Sequence, residues 1–218
     1  MIRFISYLTE VLNPWIHRNS LDPTTTFLTD AILARQSAQD LLAALPIILD
    51  ETARARHKAS PIQGDLFFDS RVTNDGLWKK YYLKWYAKPS KRALTDFPAT
   101  LAVISRHPDI HLAMLSILEP RATIHPHAGP WAGCIRVHIG LTTPNSPNCF
   151  ISLNGQRYSW KDRELVAFDD TTQHWVVNDT ETPRTVLFLD FERKMKSKRT
   201  QIILNLLNRT VGKLTTRE

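Results

Sequence analysis

The chain has 218 residues, 43% hydrophobic and 22% charged, a balance suited to one globular domain with a sizeable core. Two cysteines are too few for a disulfide framework, and no apolar run approaches the roughly 18 residues of a membrane span. Twenty-eight Lys and Arg against 21 Asp and Glu give a net charge of +7, which points toward anionic partners.

Residues 2–16 place Ile2, Ile5, Leu8, Leu12, Trp15 and Ile16 near one helical face. That face suits an interfacial helix, or one docked on the domain or on a second subunit. Glu10 interrupts the segment and no small-residue cleavage site follows, so no signal peptide is expected. The two thiols, Cys134 and Cys149, fit buried strand positions in a reducing, cytoplasmic compartment. Asp22-Pro23 and threonines 24–26 form a break, after which Thr29 or Asp30 caps a helix through about Leu45. Pro46 interrupts the longest apolar run, LLAALPIIL, and a short helix follows it toward His57. SPIQGD (60–65) has loop chemistry, and Asp96-Phe97-Pro98 opens a further helix that ends near Arg106.

From Leu112 the pattern changes to short strands near 112–118, 122–127, 134–141, 149–153, 156–159, 164–168, 174–178 and 184–191. Turns fall at Glu119-Pro120, Gly129-Pro130, Pro144–Pro147 and Asn154-Gly155, the last a hairpin signal. Eight short strands after a helical half predict a mainly β fold with flanking helices, a double-stranded β-helix of the jelly-roll or cupin kind. A single domain is expected: helical 1–110, a β core over 111–193 and a basic C-terminal helix over 194–218. The stretch Arg193–Arg199 holds five cations in seven residues, suited to peripheral contact with an anionic membrane or to a solvated helix start. No nucleic-acid module accompanies it, so nucleic acid is the weaker partner, and the oligomeric state is open.

His127 and His174 lie in strand-rich segments, and Arg184 follows ten residues after the second. Two imidazoles on neighbouring barrel strands can hold Fe(II), and a downstream arginine can anchor a dicarboxylate. Spacing alone does not establish this, because among eight histidines such a separation arises by chance. Alternation places Arg136 with His138, and His125 with His127, on shared faces, without saying which face is interior.

Residues 116–193 resemble the aspartyl/asparaginyl β-hydroxylase family, and within it the lipid A 2-hydroxylase branch. The matching stretches are Pro126–Pro130, Arg136–Leu141, Phe168–Asp170, His174 and Arg184 at the start of RTVLFLDFER. The stretches WKKYYLKWY (78–86) and RYSWKDRELVAFDD (157–170) resemble the lipid-modifying branch more than the peptide-modifying one. The resemblance implies a dioxygenase that uses Fe(II), 2-oxoglutarate and O2 to hydroxylate an unactivated C–H. It implies His127 and His174 as iron ligands, with Arg184 and Ser116 on the distal carboxylate of 2-oxoglutarate. Arg136 and His138 would hold the carboxylate beside the metal. Asp169 and Asp170 are either acceptors that orient an imidazole or simple turn acids.

Gly129 departs from the 2-His-1-carboxylate pattern, because glycine stands where many such oxygenases place the acid. The peptide-modifying branch works with two histidines, whereas the lipid-modifying branch usually keeps the acid. Water, His125 or a halide are the candidates for the vacant position. Substrates in order are a lipid acyl chain, an Asp or Asn side chain in a peptide, and a small molecule. A non-catalytic cupin-like binding module stays open as a second class. A zinc enzyme is disfavoured for want of a third protein ligand.

Overall fold

A computed structural model of the chain describes residues 8–22, 26–62, 76–86 and 88–215. Its centre is two antiparallel sheets built from eleven described strands. These are β1 (Ser60–Pro61), β2 (Trp78–Trp85), β3 (Lys88–Pro89), β4 (Ile110–Leu118), β5 (Ala122–His127), β6 (Cys134–Thr142) and β7 (Cys149–Leu153). They continue with β8 (Gln156–Ser159), β9 (Leu165–Phe168), β10 (His174–Asn178) and β11 (Arg184–Glu192). The large sheet runs β1-β2-β4-β11-β6-β9 with β3 beside β2, and the small one runs β5-β10-β7-β8. The fold is the expected double-stranded β-helix. Asn154 and Gly155, both at positive φ, close the predicted β7–β8 hairpin.

The period of two along the strands builds two cores. Leu115 on β4, Val137 and Ile139 on β6, and Leu187 and Leu189 on β11 face the helices Gln36–Ala43, Leu45–Ala55 and Pro98–Ser105. Met114, Val186 and Phe188 face the other way, toward Ile124, Ile151 and Val176 of the small sheet. The large sheet is therefore buried on both faces, which is why apolar alternation left its interior side undecided. Glu51 joins two of the covering helices. Its carboxylate accepts from the Ala99 and Thr100 amides, 2.9 Å each, satisfying donors at the start of the helix Pro98–Ser105.

Three expectations change. The division at residue 110 is not an edge of the fold, because β2 pairs with β4 inside the large sheet. A register shift between Tyr82 and Lys84 breaks the alternation of WKKYYLKW, so its strand signal is weak. The helix expected from Thr29 to Leu45 is instead two, Thr29–Leu33 and Gln36–Ala43. Between them Arg35 is extended and spends its guanidinium on the Glu192 carbonyl (2.7 Å) and on Asp22 (3.1 Å). Thr29 does not cap its helix; its hydroxyl accepts from the Ala167 amide.

At the N-terminal side, residues 2–7 lie outside the described residues. The helix Asn13–Asn19 docks on the domain through Ile16, which is fully buried against Trp131 and Ala132. The C-terminal helix Lys198–Thr215 packs on the same cluster through Leu204 and Val211. Arg193 does not belong to the surface basic run. It is 2% exposed, donating to the Ala132 carbonyl and to Asp169, both at 2.6 Å. Among the described residues no helix is long and apolar enough to cross a membrane.

Candidate active site

A cavity of about 170 Å³ opens between the two sheets. The small sheet brings Ile124, His127, Ile151, His174 and Val176 to it; the large sheet brings Ser116, Arg136, His138, Arg184 and Phe188. All six predicted site residues therefore meet in one cavity.

His127 and His174 sit opposite each other on paired β5 and β10, ring centroids 4.3 Å apart. Each Nδ1 lies 2.7 Å from a backbone carbonyl two residues upstream, that of His125 and of Thr172. Those carbonyls fix the tautomer with Nδ1 protonated and leave both Nε2 lone pairs available, as metal-binding imidazoles require. Burial, then the neighbouring His174, lowers the pKa of His127, which favours the neutral ligand form. Among the described residues no three His, Cys, Asp or Glu side chains already form a metal cage.

His125 does not share the face of His127. Against β10, Ile124 pairs with Val176 and His127 with His174, so β5 carries one extra residue. This bulge turns His127 into the cavity alongside Ile124 and leaves the His125 side chain exposed. Only its carbonyl serves the site.

Gly129 is explained by a neighbour. A Cβ added there would fall within the carboxylate of Asp170, and the Gly129 amide donates to the Asp170 carbonyl at 2.7 Å. Asp170 Oδ1 lies 2.8 Å from Arg136 Nη1 and 3.5 Å from His174 Nε2. A carboxylate thus stands beside the histidines after all, supplied by the strand-connecting turn before β10. Asp169 points elsewhere, to Arg193 and His17. Arg136 is held on its other side by Asp190 at 2.7 Å and lies over the Phe188 ring, 4.1 Å from its centre.

The other end of the cavity is cationic and under-satisfied. Arg184 is 1% exposed, with no carboxylate paired to it among the described residues. Its Nε has no partner, its Nη2 reaches Ser116 Oγ at a long 3.4 Å, and it lies 4.6 Å from the Trp160 ring centre. Burial pushes its pKa down to about 10, so it stays charged at neutral pH. Ser116 Oγ also accepts from Trp78 Nε1 at 2.9 Å, which leaves its own proton to donate into the cavity. His138 lies among Trp160, Phe168 and Phe188, and neither ring nitrogen has a hydrogen-bond partner among the described residues. Burial, then Arg184, lowers its pKa well below the usual histidine value, so it is neutral. A buried cation and a neutral imidazole without partners are costly unless a ligand completes them. Trp78, Trp160 and the pairing of Asp170 with Arg136 escaped the reading of single motifs. Both tryptophans lie in the stretches that carried the lipid-branch resemblance.

The family model described as aspartyl/asparaginyl beta-hydroxylase matches residues 43–194. An ornithine lipid ester-linked acyl 2-hydroxylase from Rhizobium tropici is 32% identical over 150 residues, covering 67% of this chain and 53% of that protein. The human aspartyl/asparaginyl beta-hydroxylase is 24% identical over 127 residues, 56% of this chain and 17% of that protein. The chain therefore spans about half of the first relative and a small part of the second. Among solved structures, a prolyl-4-hydroxylase from Pseudomonas putida aligns with a TM-score of 0.44 at 14% identity, over 71% of this chain and 87% of that one.

Proposed function

The chain belongs to the aspartyl/asparaginyl β-hydroxylase family, and on that premise we propose that it is an Fe(II)- and 2-oxoglutarate-dependent hydroxylase of a lipid acyl chain. One observation carries the cofactor assignment. Two histidines with carbonyl-fixed Nδ1 atoms share a cavity with a buried arginine that lacks a counter-ion.

His127 and His174 would hold the metal through Nε2. Arg184 would bind the distal carboxylate of 2-oxoglutarate through its planar fork, with the Ser116 hydroxyl donating beside it. His138 would hydrogen-bond the carboxylate nearer the metal, next to Arg136, whose Asp190 and Asp170 pairs keep the guanidinium in place. Asp170, fixed by Arg136 and filling the space that a side chain at 129 would take, would accept from a water beside the histidines. Fe(II), 2-oxoglutarate and O2 bound there would supply the oxidation of an unactivated C–H. The apolar walls, Ile124, Ile151, Val176 and Phe188, exclude water.

The lipid substrate is supported by the identity to the ornithine lipid hydroxylase, and such a substrate would bring the protein to the inner face of a membrane. A second reading, hydroxylation of Asp or Asn side chains, is favoured by Gly129, where glycine replaces the acid. Incubation with Fe(II), 2-oxoglutarate, air and acyl lipid, followed by mass spectrometry, distinguishes them. Gain of one oxygen on the acyl chain is expected. Oxygen gain only in Asp- or Asn-containing peptides would overturn the lipid assignment.

A further inference from the structure

The C-terminal helix Lys198–Thr215 carries an outer face that is exposed among the described residues. Its inner side is spent on packing, with Leu204, Asn208 and Val211 buried. The outer side carries Ile202 at 62% exposure, Ile203 at 46% and Leu206 at 56%. At 100° per residue these three fall within one arc, shared with Arg199, Arg209 and Lys213. All three cations are exposed, so the apolar group has positive charge on both sides along the helix. Lys198 adds a fourth exposed cation at the start of the helix. Leu21, 66% exposed, lies beside the approach to this helix, its amide donating to the Lys194 carbonyl at 2.7 Å.

We propose that the outer face of the helix Lys198–Thr215 docks in the plane of an anionic lipid bilayer, with Ile202, Ile203 and Leu206 inserted between headgroups and the flanking Arg and Lys on phosphates. The combination is what such a surface selects: aliphatic side chains flanked by cations, on a helix too polar to span. A second copy of the chain fits worse. Two such faces would bring like charges together, and three aliphatic side chains fall far short of the roughly 800 Å² per partner of a stable dimer.

The helix is also tied to the site. On its inner side Asn208 Oδ1 accepts from Trp131 Nε1 at 2.7 Å, and Trp131 follows Gly129 by two residues. Docking would thus hold the segment beside the histidines at a fixed distance from the lipid. The proposal concerns the membrane partner of the site proposed above, but its surface chemistry stands independently of which substrate that site takes.

Sedimentation with vesicles of phosphatidylglycerol and of phosphatidylcholine tests it on the full chain. The protein should pellet with the anionic vesicles at low salt, and less at high salt. Replacing Ile202, Ile203 and Leu206 together by Ser should weaken that binding by roughly tenfold or more, since each loses burial of an aliphatic side chain. Arg199→Gln with Arg209→Gln and Lys213→Gln should weaken it and flatten the salt dependence. Both sets touch only exposed positions, so thermal stability and lipid-free 2-oxoglutarate consumption should be unchanged. Wild-type protein left in the supernatant with phosphatidylglycerol at low salt would overturn the proposal. So would a wild-type dimer that the Ser variant converts to monomer. Vesicle binding without lipid oxidation would instead count against the acyl substrate and leave the docking face standing.

Discussion

Arg184 is the residue whose surroundings say most about function. A buried guanidinium with no carboxylate costs stability that only a bound anion recovers. Arg184→Met should therefore raise the melting temperature of the ligand-free protein or leave it unchanged. The same variant should lose the upward shift that 2-oxoglutarate gives the wild type. Arg184→Lys keeps the charge but loses the fork, so 2-oxoglutarate binding should still weaken. Truncating one partner of a buried charged pair costs roughly 2–5 kcal/mol, which puts the KM for 2-oxoglutarate in Arg184→Ala more than tenfold up. An unchanged 2-oxoglutarate titration in Arg184→Ala would place the clamp elsewhere. Gly129 gives a second residue-scale prediction. Installing the missing acid as Gly129→Asp should not create a better metal site, because the new side chain meets the Asp170 carboxylate that Arg136 holds. Weaker Fe(II) binding by calorimetry is expected; tighter binding would mean that Asp170 yields the space. The pattern at 129 was legible in the sequence, but its cause was not. Asp170 reaches that point through a contact between residues 41 positions apart, which no local spacing encodes.

At the scale of elements, the expected strands were read to within two residues, β4, β5, β6, β7 and β11 among them. What bulges obscured was the existence of one strand and the facing of one residue. The register shift in β2 hid a strand, and the bulge in β5 turned His125 away from a face that alternation assigned to it. A bulge is a property of the pairing of two strands, so a single strand's sequence shows it poorly. The C-terminal helix was legible in the sequence, while the groups beneath it were not. His111 on β4 stacks on Tyr86 and lies 3.2 Å from Asn208 Nδ2 of that helix. Burial, then Lys84, lowers its pKa to about 4. The unfolded chain takes up this proton near pH 6.5 and the folded protein does not. Stability is therefore full above pH 6.5 and falls as the pH drops toward 4, with a ceiling of about 3 kcal/mol. Urea unfolding at pH 7 and pH 5 should show the loss, and His111→Gln should shrink it. The same loss in His111→Gln would mean that other groups set the acid limit.

Over the whole molecule, the run of short strands after a helical half was enough to read a double-stranded β-helix. The division into a helical half and a β core was not, since β2 crosses it to supply Trp78 to the cavity. The predicted residues His127, His174, Ser116, Arg136, His138 and Arg184 meet in one place because both sheets turn their inner faces to it. We propose this meeting point as the Fe(II) and 2-oxoglutarate site. Succinate formed from 2-oxoglutarate in air, with and without added Fe(II), tests it most directly when wild type is compared with the His127→Ala, His174→Ala double variant. Metal-dependent succinate in the wild type, and its loss in a double variant with an unchanged circular dichroism spectrum, is the predicted result. No metal-dependent succinate from the wild type, or full turnover in the folded double variant, would contradict it.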